Sequence, residues 1–136
     1  PTLAETREAV LEIRRAKSMV IDAEDPNSRS AGSFFKNPIV PLGEFDELKA
    51  RYATVPSFSA GEGMVKVPAA WLIENAGFDK GFVMGNVGIS ANHTLALVNR
   101  GGGSAAEMTA LRDAVQRRVN EVFGIRLVPE PIMVGF

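Results

Sequence analysis

"GGGSAAEMTALRDAVQRRVNEVFG", residues 101 to 124, is the stretch on which the fold turns. Ser104 and Glu107 stand at the spacing that lets a hydroxyl and a carboxylate satisfy each other's backbone amides at a helix start. Met108, Leu111, Val115, Val119 and Val122 then recur at helical intervals and mark one apolar stripe, and Gly124 supplies the stop. A helix with one apolar stripe must cover something. On its N-terminal side "TLALVNR" (94–100) reads as a buried strand, and on its C-terminal side "IRLVPEPIMVGF" (125–136) is extended but broken by Pro129 and Pro131.

Working outward, "FDKGFVMGNVGIS" (78–90) is glycine-rich with spaced apolar residues and reads as turns and a strand. "AAWLIENAG" (69–77) is a compact helix closed by Gly77, with Trp71 on its apolar side and read as core. "MVKVP" is a brief strand and "PSFSAGEG" a loop. "LGEFDELKARY" (42–52) sets Phe45, Leu48 and Tyr52 at helical intervals. "SFFKNPIV" (33–40) is extended, with Pro38 forcing an edge or a break. "SMVIDAEDPNSRSAG" (18–32) is mostly loop. The N-terminal "TLAETREAVLEIRRAK" opens with Thr2 and Glu5 in capping-box spacing, aligns Leu3, Val10, Ile13 and Ala16, and ends in Arg14, Arg15 and Lys17. Interleaved short strands and helices, with long turns and no repeat, predict an α+β fold: a small mixed β-sheet with helices packed mainly on one face.

Totals bound the function. A chain of 136 residues, 46% hydrophobic and 23% charged, has room for one compact domain with one core. A net charge of -1 gives no global field to recruit nucleic acid or an anionic membrane. Without cysteine there is no disulfide, thiol nucleophile or thiolate metal site. No secretory signal and no apolar run of bilayer length is present, which fits a cytoplasmic protein. The chain starts at Pro1 without methionine, as a piece of a longer protein would.

The familiar catalytic kits are missing. One histidine, His93, cannot build a multi-histidine metal site, and its place before an apolar strand gives it a structural role. A Ser-His-Asp hydrolase would require Ser33 to meet His93, and no Gly-x-Ser-x-Gly elbow is present. "GGGS" precedes a helix, but it has neither the lysine of a Walker loop nor the spacing of a dinucleotide fingerprint, so it reads as a flexible turn with a serine cap. Arg14, Arg15 and Lys17 read as a solvated helix end.

Four stretches in order carry a resemblance: "AGSFFKNP", "AAWLIENAGFDKG", "HTLALVN" and "FGIRLVPEP". Together they resemble the C-terminal, substrate-binding part of the UDP-N-acetylenolpyruvoylglucosamine reductases (MurB), flavoenzymes of peptidoglycan precursor synthesis. The likeness runs from about the "IRRAK" helix end to the C-terminus. It implies residues 1–17 as a helix joining from an FAD-binding region outside this chain, and residues 18–136 as the substrate-binding domain. It also implies FAD bound by that other region, NADPH as reductant and a UDP-sugar substrate. The partners on this reading are the FAD-binding domains of the same parent chain, with neither nucleic acid nor membrane.

The resemblance gives particular residues particular roles. Ser33 becomes the proton donor to the carbon next to the substrate carboxylate, fixed by buried Phe34 and Phe35. Hydride addition leaves an enolate-like carbanion basic enough to take a hydroxyl proton once the group is held in place. Glu130, in "LVPEP", becomes the stabiliser of that enolate, with burial expected to raise its pKa. Lys17 and Asn37 become contacts to the UDP-sugar. Two departures from the family pattern stand out. The connection between Lys17 and the serine motif is longer than usual, which leaves the place of Lys17 open. Ile132 stands where some members carry an arginine, leaving Arg29 and Lys66 as alternative cations for a diphosphate. The alternative from another class is a non-catalytic nucleotide-sugar binding module.

Overall fold

The computed structural model describes residues 1–135. Among these residues the chain is α+β, with four α-helices and two small antiparallel sheets. The four-stranded sheet has the order β1 (Ser30–Ser33), β7 (Ala96–Asn99), β6 (Val87–Ile89), β5 (Val83–Met84). The three-stranded sheet places β4 (Met64–Lys66) between β2 (Ile39–Pro41) and β3 (Phe58–Ser59). The expected small sheet is therefore divided in two, because Asn37 and Pro38 separate β1 from β2 and each half pairs with a different partner. β3 falls inside the segment read as a loop; two residues with Phe58 exposed leave no alternation to detect.

The long helix α4 (Ala105–Phe123) forms as its sequence dictates. Ser104 and Glu107 close a reciprocal capping box, and Gly124 ends the helix in the left-handed region at φ 70°. Leu111, Val115, Val119 and Phe123 are its buried positions, and the helix packs on β6 and on α3 (Ala69–Asn75). The helix α2 (Leu42–Arg51) covers the second sheet through Phe45 and Leu48. Trp71 packs against the core in an aromatic cluster with Tyr52 and Phe123, its ring centroid 6.0 Å from one and 5.6 Å from the other.

The helix α1 (Leu3–Ala16) is different. Its capping box with Thr2 and Glu5 is formed, yet none of its residues is buried. Leu3 is 92% exposed and Ile13 60%. Its apolar face therefore takes no part in the domain core.

The segment 30–36 is the structural spine of the site. Upstream, Ser30 pairs with Val98 and Ser33 with Ala96, so three steps along β1 match two along β7. That extra residue is a bulge, and Gly32 at φ 83° supplies the backbone conformation. Downstream, Phe35 bridges Pro129. The amide of Lys36 donates to the Val128 carbonyl at 2.9 Å, and the Glu130 amide donates to the Phe34 carbonyl at 2.8 Å. Phe34 and Phe35 are both buried and meet edge to face at 5.4 Å. Consecutive residues of an extended chain point to opposite faces, so burial of both means that this segment is covered on each side. Even at about 25 cal/mol per Å2, two buried phenylalanines hold it more firmly than any single hydrogen bond here.

Candidate functional site

Ser33 and Glu130, far apart in the chain, line one open cavity of about 340 Å3 together with Ala31 and Pro131. Their meeting has a backbone cause. The bulge at Gly32 turns the alternation of side chains just before Ser33, while the antiparallel register of Phe35 against Pro129 brings Glu130 alongside. Ser33 is half-buried. Glu130 is exposed, contrary to the expected burial, because the segment carrying it is latched by its backbone rather than covered by packing.

His93, given a structural role from the sequence, stands beside the serine motif. Its Nε2 lies 3.3 Å from Ser33 Oγ, so the two side chains do meet. The contact is a product of strand pairing. His93 lies in the loop 90–95 between β6 and β7, and β7 runs antiparallel to β1 with Ala96 opposite Ser33. Nothing in the sequence separation points to it; the usable signal is a histidine just upstream of a strand that pairs with the serine motif. A hydrolase triad is still absent, because the other ring nitrogen, Nδ1, faces the Leu95 backbone amide at 3.4 Å rather than a carboxylate.

The loop bearing His93 is held from several sides. The Asn92 side-chain amide donates to Ser18 Oγ at 2.8 Å, and the Ala91 amide donates to Asn27 Oδ1 at 3.0 Å. The buried Thr94 hydroxyl donates to Glu74. Two of these ties come from the long segment after Lys17, which thus folds back onto the loop instead of carrying Lys17 away. Partial burial holds the His93 pKa below its ordinary value, helped by the charges of Lys17 and Lys80. Lys17 and Lys80 are accordingly the two cations felt at this ring. Sequence reasoning passed over Lys80.

The remaining candidates fall elsewhere. Asn37 uses its carbonyl oxygen to accept from the Ala69 amide at 2.9 Å, capping the start of α3. Arg29 lines a different and larger cavity of about 560 Å3, beside Phe34, Leu97 and Met108. Lys66 sits in β4, paired with Ile39 and Phe58 in the second sheet. The glycine turn before α4 is also spoken for: Asn99 Oδ1 accepts from the Gly101 and Gly103 amides, and Glu107 accepts from the Ser104 amide. Those amides therefore offer no anion cradle, and the turn-and-cap reading of that stretch stands. Among the described residues no group of His, Asp or Glu is arranged to hold a metal ion, and no helix is long and apolar enough to cross a membrane.

Comparison with known proteins follows the same lines. Residues 25–134 match the family described as UDP-N-acetylenolpyruvoylglucosamine reductase, C-terminal domain. A UDP-N-acetylenolpyruvoylglucosamine reductase of Thermobifida fusca is 53% identical over 98% of this chain and 39% of its own length. Its counterpart in Streptomyces coelicolor is 48% identical over 98% of the chain and 37% of its length, and that of Saccharopolyspora erythraea 44% over 97% and 38%. The chain thus spans less than two-fifths of these relatives. With the match covering most of its length, the chain belongs to the C-terminal-domain family of the UDP-N-acetylenolpyruvoylglucosamine reductases.

Proposed function

We propose that this chain is the substrate-side domain of a reductase that converts a UDP-N-acetylglucosamine enolpyruvyl ether to UDP-N-acetylmuramate. The observation that carries the reading is the shared cavity of Ser33 and Glu130. FAD, reduced by NADPH, would supply the hydride that adds to the far alkene carbon of the enolpyruvyl group. On this reading the flavin is held by the rest of the parent chain; in the glycine-rich turn here, the Gly101, Gly103 and Ser104 amides already have acceptors within the chain.

What these residues contribute is the other half of the reduction. Addition of hydride leaves an enolate whose α-carbon needs a proton. Ser33 gives up its hydroxyl proton to that carbon: the O–H bond breaks, a C–H bond forms, and the serine alkoxide takes a proton back from water. Placement stands in for acidity, because the carbanion is far more basic than water-exposed hydroxyls. Glu130, brought to the same cavity, is the side chain placed to offset the charge that develops on the enolate oxygen. Lys17 and Lys80, whose charges are felt at the His93 ring, suit the negative charge of the substrate's carboxylate or diphosphate. Asn37 lies outside the lining of this cavity; on the same reading its side-chain N–H pair would meet the sugar while its oxygen holds α3.

The test is rapid-mixing absorbance of the flavin in the full-length protein. Ser33→Ala leaves flavin reduction by NADPH near normal and slows reoxidation by the enolpyruvyl substrate about 10²–10⁴-fold, the usual worth of a positioned acid. Glu130→Ala slows reoxidation about 10²–10³-fold, whereas Glu130→Gln, a neutral donor of similar reach, retains more of it. A normal second half-reaction in Ser33→Ala overturns the role of Ser33. Tight UDP-sugar binding by this chain alone, measured by calorimetry, would favour a non-catalytic binding module instead.

A further inference from the structure

We propose that His93 is the positioning residue for the proton donor: as a neutral ring protonated on Nε2, it donates to Ser33 Oγ and turns the serine's own proton toward the cavity shared with Glu130. This rests on reading Ser33 as the proton donor.

The distance between Ser33 Oγ and His93 Nε2, 3.3 Å, does not say which atom gives the hydrogen. The opposite side of the ring does. Nδ1 lies 3.4 Å from the Leu95 amide nitrogen, and a backbone amide can only donate. Nδ1 must therefore be the bare, accepting nitrogen. A neutral imidazole carries one proton, so that proton is on Nε2 and points at Ser33. Partial burial and the nearby Lys17 and Lys80 both disfavour a second proton on the ring.

The direction of this bond decides what the serine can do. In a hydrolase the hydroxyl donates to the histidine, which withdraws the proton and makes a nucleophile. Here the polarity is reversed. One lone pair of Oγ is taken by Nε2–H, and the hydroxyl proton is left to point elsewhere. The open direction is the cavity bounded by Ala31, Glu130 and Pro131. Once that proton has gone to carbon, the same Nε2–H faces an alkoxide and stabilises it as a charge-assisted hydrogen bond until water restores the proton. The ring itself neither gains nor loses a proton.

The loop is built to hold such a ring still. Beyond its ties to Ser18, Asn27 and Glu74, it closes on itself through the Ala96 amide donating to the His93 carbonyl at 3.1 Å and the Ser90 amide to the Ala96 carbonyl at 2.9 Å.

The experiment combines a spectrum with kinetics. Full-length protein labelled with 15N-histidine is examined by long-range nitrogen–proton correlation, with His93→Gln used to assign the His93 signals. The expected result is Nε2 protonated and Nδ1 bare, unchanged in Ser33→Ala because Leu95 sets the tautomer. Protonation on Nδ1 overturns the proposal, whatever the variants do. In rapid mixing, His93→Phe, which fills the ring space without a donor, slows flavin reoxidation by substrate about 10–10²-fold and spares reduction by NADPH. His93→Gln, whose amide nitrogen reaches the place of Nε2, restores most of that rate. A purely space-filling role would give the reverse order, and equal rates for wild type and His93→Phe would also overturn the proposal. Should Ser33→Ala reoxidise at the wild-type rate, the reading of Ser33 as proton donor falls. A crippled Ser33→Ala beside an unaffected His93→Phe would remove only the role of His93.

Discussion

His93 shows how one residue's surroundings reach the stability of the whole chain. Its pKa in the folded state is held below the ordinary imidazole value of ~6.5 by partial burial and by Lys17 and Lys80. Between that ordinary value and the lowered one, the unfolded chain binds more protons than the folded chain. Unfolding free energy therefore falls as pH drops through this window and levels off below it; above the window the group costs nothing. Urea midpoints at pH 8 and pH 5 should show a larger loss for the wild type than for His93→Gln, and equal losses would mean that the ring is as easily protonated when folded. The contact that makes His93 interesting was not legible in the sequence. Composition showed one histidine and no partner beside it, and the partner is supplied by a strand pairing some sixty positions away. Ser33 and Glu130 were legible only through their motifs. Their spacing alone gives no reason to join them, since the register of Phe35 on Pro129 does the joining.

At the scale of elements, the local signals were sufficient where the stabilising contacts are local. The helix α4 was readable from Ser104 to Gly124 because caps and stripe all lie within it. The β5–β6 hairpin was half readable: Gly85 and Asn86 form its two-residue turn, but strands of two and three residues carry little alternation. Unreadable was the bulge in β1. Its extra residue exists because β7 arrives in a particular register, a fact absent from the β1 sequence itself. Gly32→Ala tests that element. An added Cβ would meet only Met19 Cε at 3.8 Å, so space is not the difficulty; the φ of 83° is. Holding alanine there costs about 1–3 kcal/mol, or lets the bulge slip and turn Ser33 away from Glu130. Denaturant unfolding should reveal the loss, and in the full-length protein, on the function proposed above, flavin reoxidation by substrate should slow while reduction by NADPH does not. Wild-type behaviour in both would show that the bulge does not aim the serine.

The whole molecule divides into a packed body and a helix outside it. Every other helix contributes buried side chains, whereas α1 contributes none. A helix of 14 residues is near the length at which isolated helices are marginal in water. Hydrogen exchange on this chain should find the α1 amides protected weakly, with those of α4 exchanging only on global unfolding. Equal protection would mean that α1 is held by contacts the core does not show. The sequence had aligned Leu3, Val10 and Ile13 on one face, a periodicity that says a surface is wanted without saying where it is. By contrast, the strap from Leu127 to Pro131 has no regular structure but is firmly placed, with Leu127 fully buried and its backbone bonded to Phe34 and Lys36.

That strap has a further effect on how copies of the protein meet. Its inward groups, the Val128 carbonyl and the Glu130 amide, are occupied by the chain's own neighbouring strand. The alternate positions, Pro129 and Pro131, face the other way and have no N–H to offer. A stray strand arriving at this border finds no donors to zip onto, so the rim that carries Glu130 stays clear of edge-to-edge aggregation while remaining open to a small molecule.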